Sequence, residues 1–252
     1  MLSYYGRLSS EVYDMDKPIG HSFGDIEFYK ERLKSCEGRI LEPATGTGRM
    51  LIPLLENGFE VDGFDCSKEM LNICENNCRI RNLKPYLFEA KMESFSIDRL
   101  YDAIIVPTGT FLLLQERTDS IKALHNFYKH LSNGGKLIID IFLQTNSSIG
   151  ISSTRTFPCD NGDIITLDKK IVQVDNINQF TISHTRYEKW RDGVLLETEL
   201  EYFPLRWYGV EEFKLILESI GFEDIVISSD YKFGQYPVSA EKVITFEATA
   251  IK

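Results

Sequence analysis

The segment Ile40-Leu-Glu-Pro-Ala-Thr-Gly-Thr-Gly-Arg49 is the most informative part of this chain. A short apolar run leads into a turn that contains Gly46 and Gly48, and a helical pattern follows the turn. Glycine lets the backbone turn sharply and lets a ligand approach without meeting a Cβ atom. The start of the following helix adds free N–H groups. The segment therefore predicts a strand, a turn and a helix, with a ligand bound at the turn.

On both sides of this segment, strand-like runs alternate with helical patterns. The strand-like runs are 39–44, 59–65, 85–90, 101–106 and 136–142, and two more follow at 222–228 and 243–250. Continuous apolar runs separated by helices are typical of a parallel sheet covered on both faces. The loops after the first four strands then meet at one edge, where open α/β sheets bind ligands. We therefore predict the α/β class.

The pattern changes between residues 142 and 211. Residues 144–153 have the composition of a connector, and strand-like runs follow at 164–174, 180–190 and 194–202. Asp192-Gly193 is a strong signal for a hairpin turn. In the last run Val194, Leu196 and Leu200 share one face, and Glu197, Glu199 and Glu201 share the other. This alternation predicts a half-buried strand in a small antiparallel meander.

Composition and charge exclude several classes of protein. The 252 residues include 28 Lys plus Arg and 38 Asp plus Glu, which gives a net charge of −10. The basic residues do not cluster, whereas a nucleic-acid binder needs a clustered basic face. The apolar run 103–114 is shorter than the roughly 20 residues of a spanning helix, and the N-terminus has no apolar signal core. We therefore expect a cytoplasmic protein without nucleic-acid or membrane partners.

The cysteines do not predict a metal site. Cys74 and Cys78 lie one helical turn apart, but no histidine or second cysteine pair completes a set of ligands. We expect five reduced, structural thiols.

Four features of the sequence define the ligand at the glycine turn. The chain has no Gly-x4-Gly-Lys-Ser/Thr loop for phosphates, and Leu51 stands where a dinucleotide fingerprint needs Gly or Ala. Glu42, inside the first strand, would repel a phosphate but suits an ammonium group. Asp65, which ends the second strand, stands where an acidic residue holds ribose hydroxyls. S-adenosylmethionine is a nucleoside with a cationic amino-acid tail, and it fits this description.

The sequence resembles the class I S-adenosylmethionine-dependent methyltransferases. The matching blocks, in the order of the family, are 41–49, 61–71, 89–95, 101–107, 131–142 and 207–227. The resemblance covers roughly residues 39–142 and 203–252. It implies a Rossmann-like seven-stranded sheet with helices on both faces, a reversed final strand at 243–250 and a small antiparallel β insertion.

The resemblance also implies a division of the chain. Residues 1–145 and 204–252 would form the α/β domain that binds S-adenosylmethionine, with 1–38 as an N-terminal helical lid. Residues 146–203 would form the inserted meander, which we expect to cover the substrate.

Individual residues carry the family's contacts. Glu42 matches the acid that orients the amino group, Asp65 the acid that binds the ribose, and Tyr13 a tyrosine that closes over the cofactor. The other matching positions are Ala44, Thr45, Gly46 and Gly48 around the methionine part, Cys66, Met70 and Met92 beside the adenine, and Pro107 and Thr108 facing the sulfonium. Lys91 replaces an Asp that often accepts the adenine amino group, and Glu93 is the candidate for that contact.

The implied activity is methyl transfer to an O or N atom of a small molecule. An in-line displacement needs mainly a positioned nucleophile, and a base is required only for a protonated acceptor. Tyr13, His21 and His184 are the candidates for such a base. Two alternatives stay open, a nicotinamide-dependent oxidoreductase and a non-catalytic protein that binds S-adenosylmethionine. We expect a monomer or a homodimer.

Overall fold

The computed structural model of the protein describes residues 5–145 and 147–252. The first four residues of the expected lid and residue 146, the first of the expected insertion, lie outside the described residues. Within the described ranges no helix is long and apolar enough to cross a membrane.

The described residues form two β-sheets. The strands, numbered along the chain, are β1 (Ile40–Pro43), β2 (Val61–Asp65), β3 (Leu87–Glu89), β4 (Tyr101–Val106), β5 (Leu131–Ile141), β6 (Ser152–Pro158), β7 (Ile164–Asp175), β8 (Phe180–Arg191), β9 (Val194–Arg206), β10 (Phe222–Ser229) and β11 (Ile244–Ala250). The first sheet has the order β3-β2-β1-β4-β5-β11-β10, and the second has the order β6-β7-β8-β9.

The order of the seven-stranded sheet fixes where a ligand can bind. Strands β1 to β5 are parallel, and β11 runs antiparallel to both β5 and β10. The chain winds outward from β1 in one direction to β3, and in the other through β4 and β5, so the switch point lies beside β1. The crevice at the carboxyl ends of such strands is the usual ligand site. The predicted α/β sheet with a reversed final strand is confirmed.

Two apolar layers cover this sheet. The helices are α1 (Arg7–Asp16), α2 (Asp25–Leu33), α3 (Leu51–Glu56), α4 (Lys68–Ile80), α5 (Arg117–His130) and α6 (Val210–Ile220), with a 3-10 turn at Thr110–Leu113. Helices α5 and α6 pack on one face, and α2, α3 and α4 on the other. Neighbouring residues of β4 alternate between the layers, with Ile104 in the first and Ile105 in the second.

Leu51, the first residue of α3, packs against β2. Its side chain is buried, and a Cβ atom on Gly63 of β2 would lie 2.7 Å from its Cδ1. Because Gly63 has no side chain, the larger Leu51 side chain has room to pack against β2.

The second sheet has one strand more than the sequence predicted. Strand β6 covers residues 152–158, whereas 144–153 was expected to be a connector. Its Ser- and Thr-rich sequence lacks apolar alternation, because β6 is an edge strand whose residues are mostly exposed. Strand β9 also continues past residue 203, to Arg206.

The two faces of β9 are the reverse of the usual arrangement. Val194 and Leu200 are exposed by 62% and 44%, whereas Glu201 is 1% exposed. A half-buried strand ordinarily turns its apolar face inward. Here the glutamate face packs against the start of α1.

Glu199 acts as the N-terminal cap of α1. The residue before this helix is Gly6, which has no side chain to cap it. The Glu199 carboxylate accepts the N–H of Leu8 at 2.9 Å, the N–H of Ser9 at 3.3 Å and the Ser9 hydroxyl at 2.7 Å. A carboxylate at a helix N-terminus stabilises the free N–H groups and the helix dipole. A Cβ atom on residue 6 would lie 2.7 Å from the Glu199 carboxyl carbon, so a larger residue there would displace the capping carboxylate.

Glu201 holds the segment before α1. Its carboxylate accepts the N–H of Tyr5 at 2.7 Å and the hydroxyl of Tyr187 at 3.2 Å. Burial raises the pKa of Glu201 to about 7. Glu199 and Glu201 together attach the beginning of the described chain to the second sheet.

We predict that Glu199→Ala destabilises α1 by about 1 kcal/mol, the usual cost of losing an N-cap. Faster hydrogen exchange at the amides of Leu8 and Ser9 measures the effect. Glu197→Ala is the matched control, since Glu197 lies on the same strand as Glu199 but forms an exposed pair with the Arg7 side chain instead of capping the helix. Equal exchange in the two variants would contradict the capping role.

Candidate functional site

The turn after β1 depends on its glycines. Ala44, Gly46 and Gly48 have φ angles of 52°, 58° and 91°. A Cβ atom on Gly48 would lie 2.9 Å from the Cys74 sulfur on α4, so only glycine lets the turn pack against that helix. This turn lies at the switch point of the sheet, beside the end of β2.

Asp65 joins the ends of β1 and β2. Its buried carboxylate accepts the N–H of Gly46 and the N–H of Ser67, both at 2.9 Å. Burial raises its pKa, and the two backbone donors oppose that rise. The Ser67 hydroxyl in turn accepts the N–H of Met70 at 3.2 Å, which caps α4. Asp65 therefore fixes the glycine turn against the start of α4.

Glu42 is a buried carboxylate with one weak hydrogen bond. It is 3% exposed and accepts only the Thr45 hydroxyl, at 3.3 Å, among the described residues. Burial raises its pKa to about 8, although the charge of Arg49 opposes the rise. A carboxylate in such a place is stabilised by a cation that hydrogen-bonds to it. The site therefore fits an ammonium group beside the glycine turn.

Arg49 is directed toward α2. Its guanidinium pairs with the buried carboxylate of Asp25 and donates to the carbonyl of His21 at 2.9 Å. The His21 side chain is exposed and packs against Phe23, with 4.6 Å between ring centres. The backbone of His21, not its imidazole, therefore contacts the residues of the site.

Tyr13 lies beside the glycine turn, and Tyr5 packs against Tyr13. A Cβ atom on Gly46 would lie 3.7 Å from the Tyr13 ring, and the Tyr13 and Tyr5 ring centres are 5.8 Å apart. The carbonyl of Tyr5 accepts the Ser67 hydroxyl at 2.7 Å. Burial raises the pKa of both tyrosines. The sequence singled out Tyr13, whose role at the cofactor stays a prediction, but not Tyr5, which belongs to a segment without clear periodicity.

The residues that we expect to contact the adenine lie close together at the carboxyl ends of β2 and β3. Met70 and Met92 are buried, and Met92 packs in the apolar layer that contains Phe64. Burial raises the pKa of Cys66 to about 11, and the charges of Lys91 and Glu93 respectively lower and raise it. Cys66 therefore lies near both Lys91 and Glu93.

Asp140 fixes the loop after β4. Thr108 has a φ angle of 55°, and its N–H donates to Asp140 at 2.8 Å. The same carboxylate accepts the hydroxyls of Tyr231 at 3.0 Å and Thr245 at 2.6 Å. Burial raises the pKa of Asp140 to about 6. Sequence reasoning missed Asp140, although a lone acid in the apolar run Leu137–Ile141 is a usable signal.

His184 does not join the other candidates. The strand register pairs it with Lys170 and Tyr202, on the face of the second sheet that points away from α1. Of the three candidate bases, only Tyr13 brings its side chain to the glycine turn. In 5–145 and 147–252 no group of three or more His, Cys, Asp or Glu residues could hold a metal ion.

Comparison with known proteins identifies the family. The family described as "Methyltransferase domain" matches residues 40–135. The chain is 31% identical over 219 residues to a glycine/sarcosine N-methyltransferase of Aphanothece halophytica, covering 84% of this chain and 76% of the relative. The chain belongs to the S-adenosylmethionine-dependent methyltransferases. The enzyme of the same description from Halorhodospira halochloris is 33% identical over 219 residues, with 84% and 75% covered.

Solved structures share the fold of this methyltransferase. A sugar N-methyltransferase from Streptoalloteichus has a TM-score of 0.74 at 20% identity, with 100% of this chain and 98% of that chain covered. An amino pentose methyltransferase from Micromonospora echinaspora, solved with S-adenosylmethionine bound, has a TM-score of 0.68 at 17% identity, with 99% of both chains covered. The predicted cofactor, S-adenosylmethionine, and the predicted methyltransferase activity are confirmed. The alternative interpretation as a nicotinamide-dependent oxidoreductase is therefore not supported.

We predict that the binding of S-adenosylhomocysteine by this methyltransferase depends on the ionisation of Glu42. Burial raises the pKa of Glu42 to about 8 in the protein without ligand, so below pH 8 this carboxyl is mostly protonated. Pairing with the ligand's ammonium then requires that Glu42 release its proton. The affinity should fall by up to about tenfold per pH unit from pH 8 toward 6. Titration calorimetry in buffers of different ionisation enthalpy measures both effects.

Two controls isolate Glu42 in this experiment. 5′-Methylthioadenosine lacks the ammonium group, so its affinity should not follow the same pH dependence. Glu42→Gln should bind S-adenosylhomocysteine weakly at all pH values, without proton release. Wild-type binding that is independent of pH and buffer would contradict the role of Glu42.

Proposed function

We propose that this methyltransferase transfers the methyl group to an amine nitrogen of a small-molecule acceptor. The observation that carries the proposal is the likeness, above 30% identity, to glycine/sarcosine N-methyltransferases across most of both chains. The buried carboxylate of Glu201 supports it, because a negative group on the acceptor side favours a cationic or neutral amine.

In this proposal the cofactor lies across the carboxyl ends of β1, β2 and β4. Glu42 and Thr45 hold the amino group beside the turn of Ala44, Gly46 and Gly48, and Asp65 holds the ribose hydroxyls. Cys66, Met70, Met92 and Glu93 surround the adenine, and Pro107 and Thr108 face the sulfonium. Two observations support this arrangement. The glycine turn has positive φ angles, and the Glu42 carboxylate can accept more hydrogen bonds than the one from Thr45.

The chain's own residues position the reactants. S-adenosylmethionine supplies a methyl carbon bonded to a sulfonium, which is a good leaving group. Asp140 holds Thr108 in its left-handed conformation at the end of β4, and Tyr5 and Tyr13 exclude water above the glycine turn. Alignment of the nucleophile with the methyl group then supplies much of the acceleration.

We further propose the division of the chain into 1–145 with 204–252, which binds the cofactor, and 146–203, which covers the acceptor. The contacts of Glu199 and Glu201 with the segment 5–9 support a joint movement of the N-terminal lid and the second sheet. The protein would act in the cytoplasm, as a monomer or homodimer, without a nucleic-acid partner. Its five free cysteines support a reducing compartment.

We predict micromolar binding of S-adenosylhomocysteine to the wild type by calorimetry. Asp65→Ala should weaken it by about 30-fold or more, because the variant loses both the ribose contact and the bonds that fix the turn. Asp98→Ala, at an exposed acid, is the matched control and should bind as the wild type does.

The acceptor atom is tested with methyl-labelled S-adenosylmethionine and pairs of small amines and their alcohol analogues, including glycine with glycolate. Mass spectrometry should place the label on nitrogen. Label found on oxygen would refute the amine proposal, and a wild type without affinity for S-adenosylhomocysteine would refute the cofactor site.

A further inference from the structure

The turn that follows β10 holds two residues in an unusual backbone conformation. Asp230 and Tyr231 have φ angles of 54° and 55°, and the N–H of Lys232 donates to the carbonyl of Ser229 at 3.0 Å across them. Turns with two positive φ angles prefer Asn-Gly, and a bulky tyrosine is strained in this region. Such strain persists only where surrounding contacts fix the residue, and the Tyr231 side chain makes contacts of this kind.

The Tyr231 side chain reaches from this turn to the carboxyl end of β5. Its ring packs against Phe28 of α2, with 5.7 Å between ring centres, and a Cβ atom on Gly24 would lie 3.7 Å from the ring. Its hydroxyl donates to Oδ2 of Asp140, on β5, at 3.0 Å. A partly buried ring thus brings one hydroxyl group to a fully buried carboxylate.

The oxygen atom that accepts the Tyr231 hydroxyl also fixes the loop after β4. The N–H of Thr108 donates to the same Oδ2 of Asp140 at 2.8 Å, whereas the Thr245 hydroxyl donates to Oδ1 at 2.6 Å. Thr108 has a φ angle of 55°, which is unfavourable for a β-branched residue. The conformation of this loop therefore depends on its bond to Asp140, and the orientation of that carboxylate depends in turn on Tyr231.

The loop after β4 lies beside the glycine turn. Strands β1 and β4 are parallel neighbours, with Leu41 beside Ile104, so the loops that follow them are adjacent at the carboxyl edge of the sheet. Pro107 and Thr108 are the residues that we place at the sulfonium. Two hydrogen bonds through one carboxylate oxygen therefore connect the turn after β10 with this part of the proposed cofactor site.

The charges around Asp140 give this connection a measurable property. Burial raises the pKa of Asp140 to about 6, and its hydrogen bonds, including those of Tyr231 and Tyr29, oppose the rise. The other charged groups near Tyr231 are Asp25 and Arg49, which pair with each other. Because a hydrogen bond to the ionised form lowers the pKa of a carboxyl group, loss of the Tyr231 hydroxyl should raise the pKa of Asp140 further.

We propose that Tyr231 is a positioning residue for methyl transfer, which acts through Asp140 to hold Thr108 against the methyl-bearing end of the cofactor. This rests on the proposed placement of Pro107 and Thr108 at the sulfonium, and it does not depend on whether the acceptor atom is nitrogen or oxygen. Tyr231 itself does not take part in the chemical step. It fixes the wall of the site against which the methyl group is aligned.

The test compares the wild type with Tyr231→Phe, which keeps the ring and removes only the hydroxyl. Hydrogen exchange at the Thr108 amide should become about tenfold faster, because its acceptor loses a partner. In the ligand-free protein, the pH titration of the Thr108 amide signal should move above the wild-type midpoint of about 6. The methyl signal of bound, methyl-¹³C-labelled S-adenosylmethionine should also shift in the nuclear magnetic resonance spectrum.

Tyr236→Phe is the matched control. Tyr236 belongs to the same loop, but its exposed hydroxyl donates to Glu211 at 2.7 Å instead of to Asp140. This variant should leave the Thr108 amide and the methyl signal as they are in the wild type. Unchanged exchange at Thr108 in Tyr231→Phe, or equal changes in both variants, would overturn the inference. A methyl signal that does not move although Thr108 is released would overturn it as well.

A second variant tests the route through Asp140. Asp140→Asn should also speed exchange at Thr108, and adding Tyr231→Phe to it should have no further effect, because both changes break the same connection. Additive effects would show that Tyr231 acts by another route and would overturn the inference. A wild type that does not bind S-adenosylmethionine would overturn both this inference and the cofactor site, whereas methyl transfer to oxygen would refute only the amine proposal.

Discussion

Two hydrogen bonds to the Asp65 carboxylate hold the cofactor edge of the sheet together. They come from the N–H groups of Gly46, in the turn after β1, and Ser67, at the start of α4. Burying a carboxylate is costly, and these charge-assisted bonds offset that cost. The glycine turn is fixed in this way, and the Glu42 carboxylate beside it can still accept hydrogen bonds from an ammonium group. The positions of the proposed methionine and ribose contacts thus depend on one side chain.

A second set of carboxylates joins the start of α1 to the second sheet. Glu199 and Glu201 of β9 bind the backbone of the segment that carries Tyr5 and leads into α1. An N-cap supplied from a strand about 190 residues later in the chain makes α1 and the second sheet depend on each other. Movement of one should therefore accompany movement of the other when reactants enter or leave.

Local rules were sufficient to predict much of the fold and part of the site. The turn at Gly46 and Gly48 needs positive φ angles, and the switch-point rule places Glu42 and Asp65 beside it. Other features depend on partners far away in the sequence. The inward glutamate face of β9 follows from the N–H groups of α1, and Leu51 fits because Gly63 lacks a side chain. Pairing through the register likewise places His184 on the face away from α1, which periodicity within one strand does not reveal.

A crystal structure of the protein with S-adenosylhomocysteine would show whether Glu42 and Asp65 hold the cofactor. We expect the ligand's ammonium within hydrogen-bonding distance of the Glu42 carboxylate, its ribose hydroxyls at Asp65, and Tyr13 packed over its methionine part. A ligand bound elsewhere, or bound here with Glu42 turned away from the ammonium, would show that the proposed cofactor site is wrong.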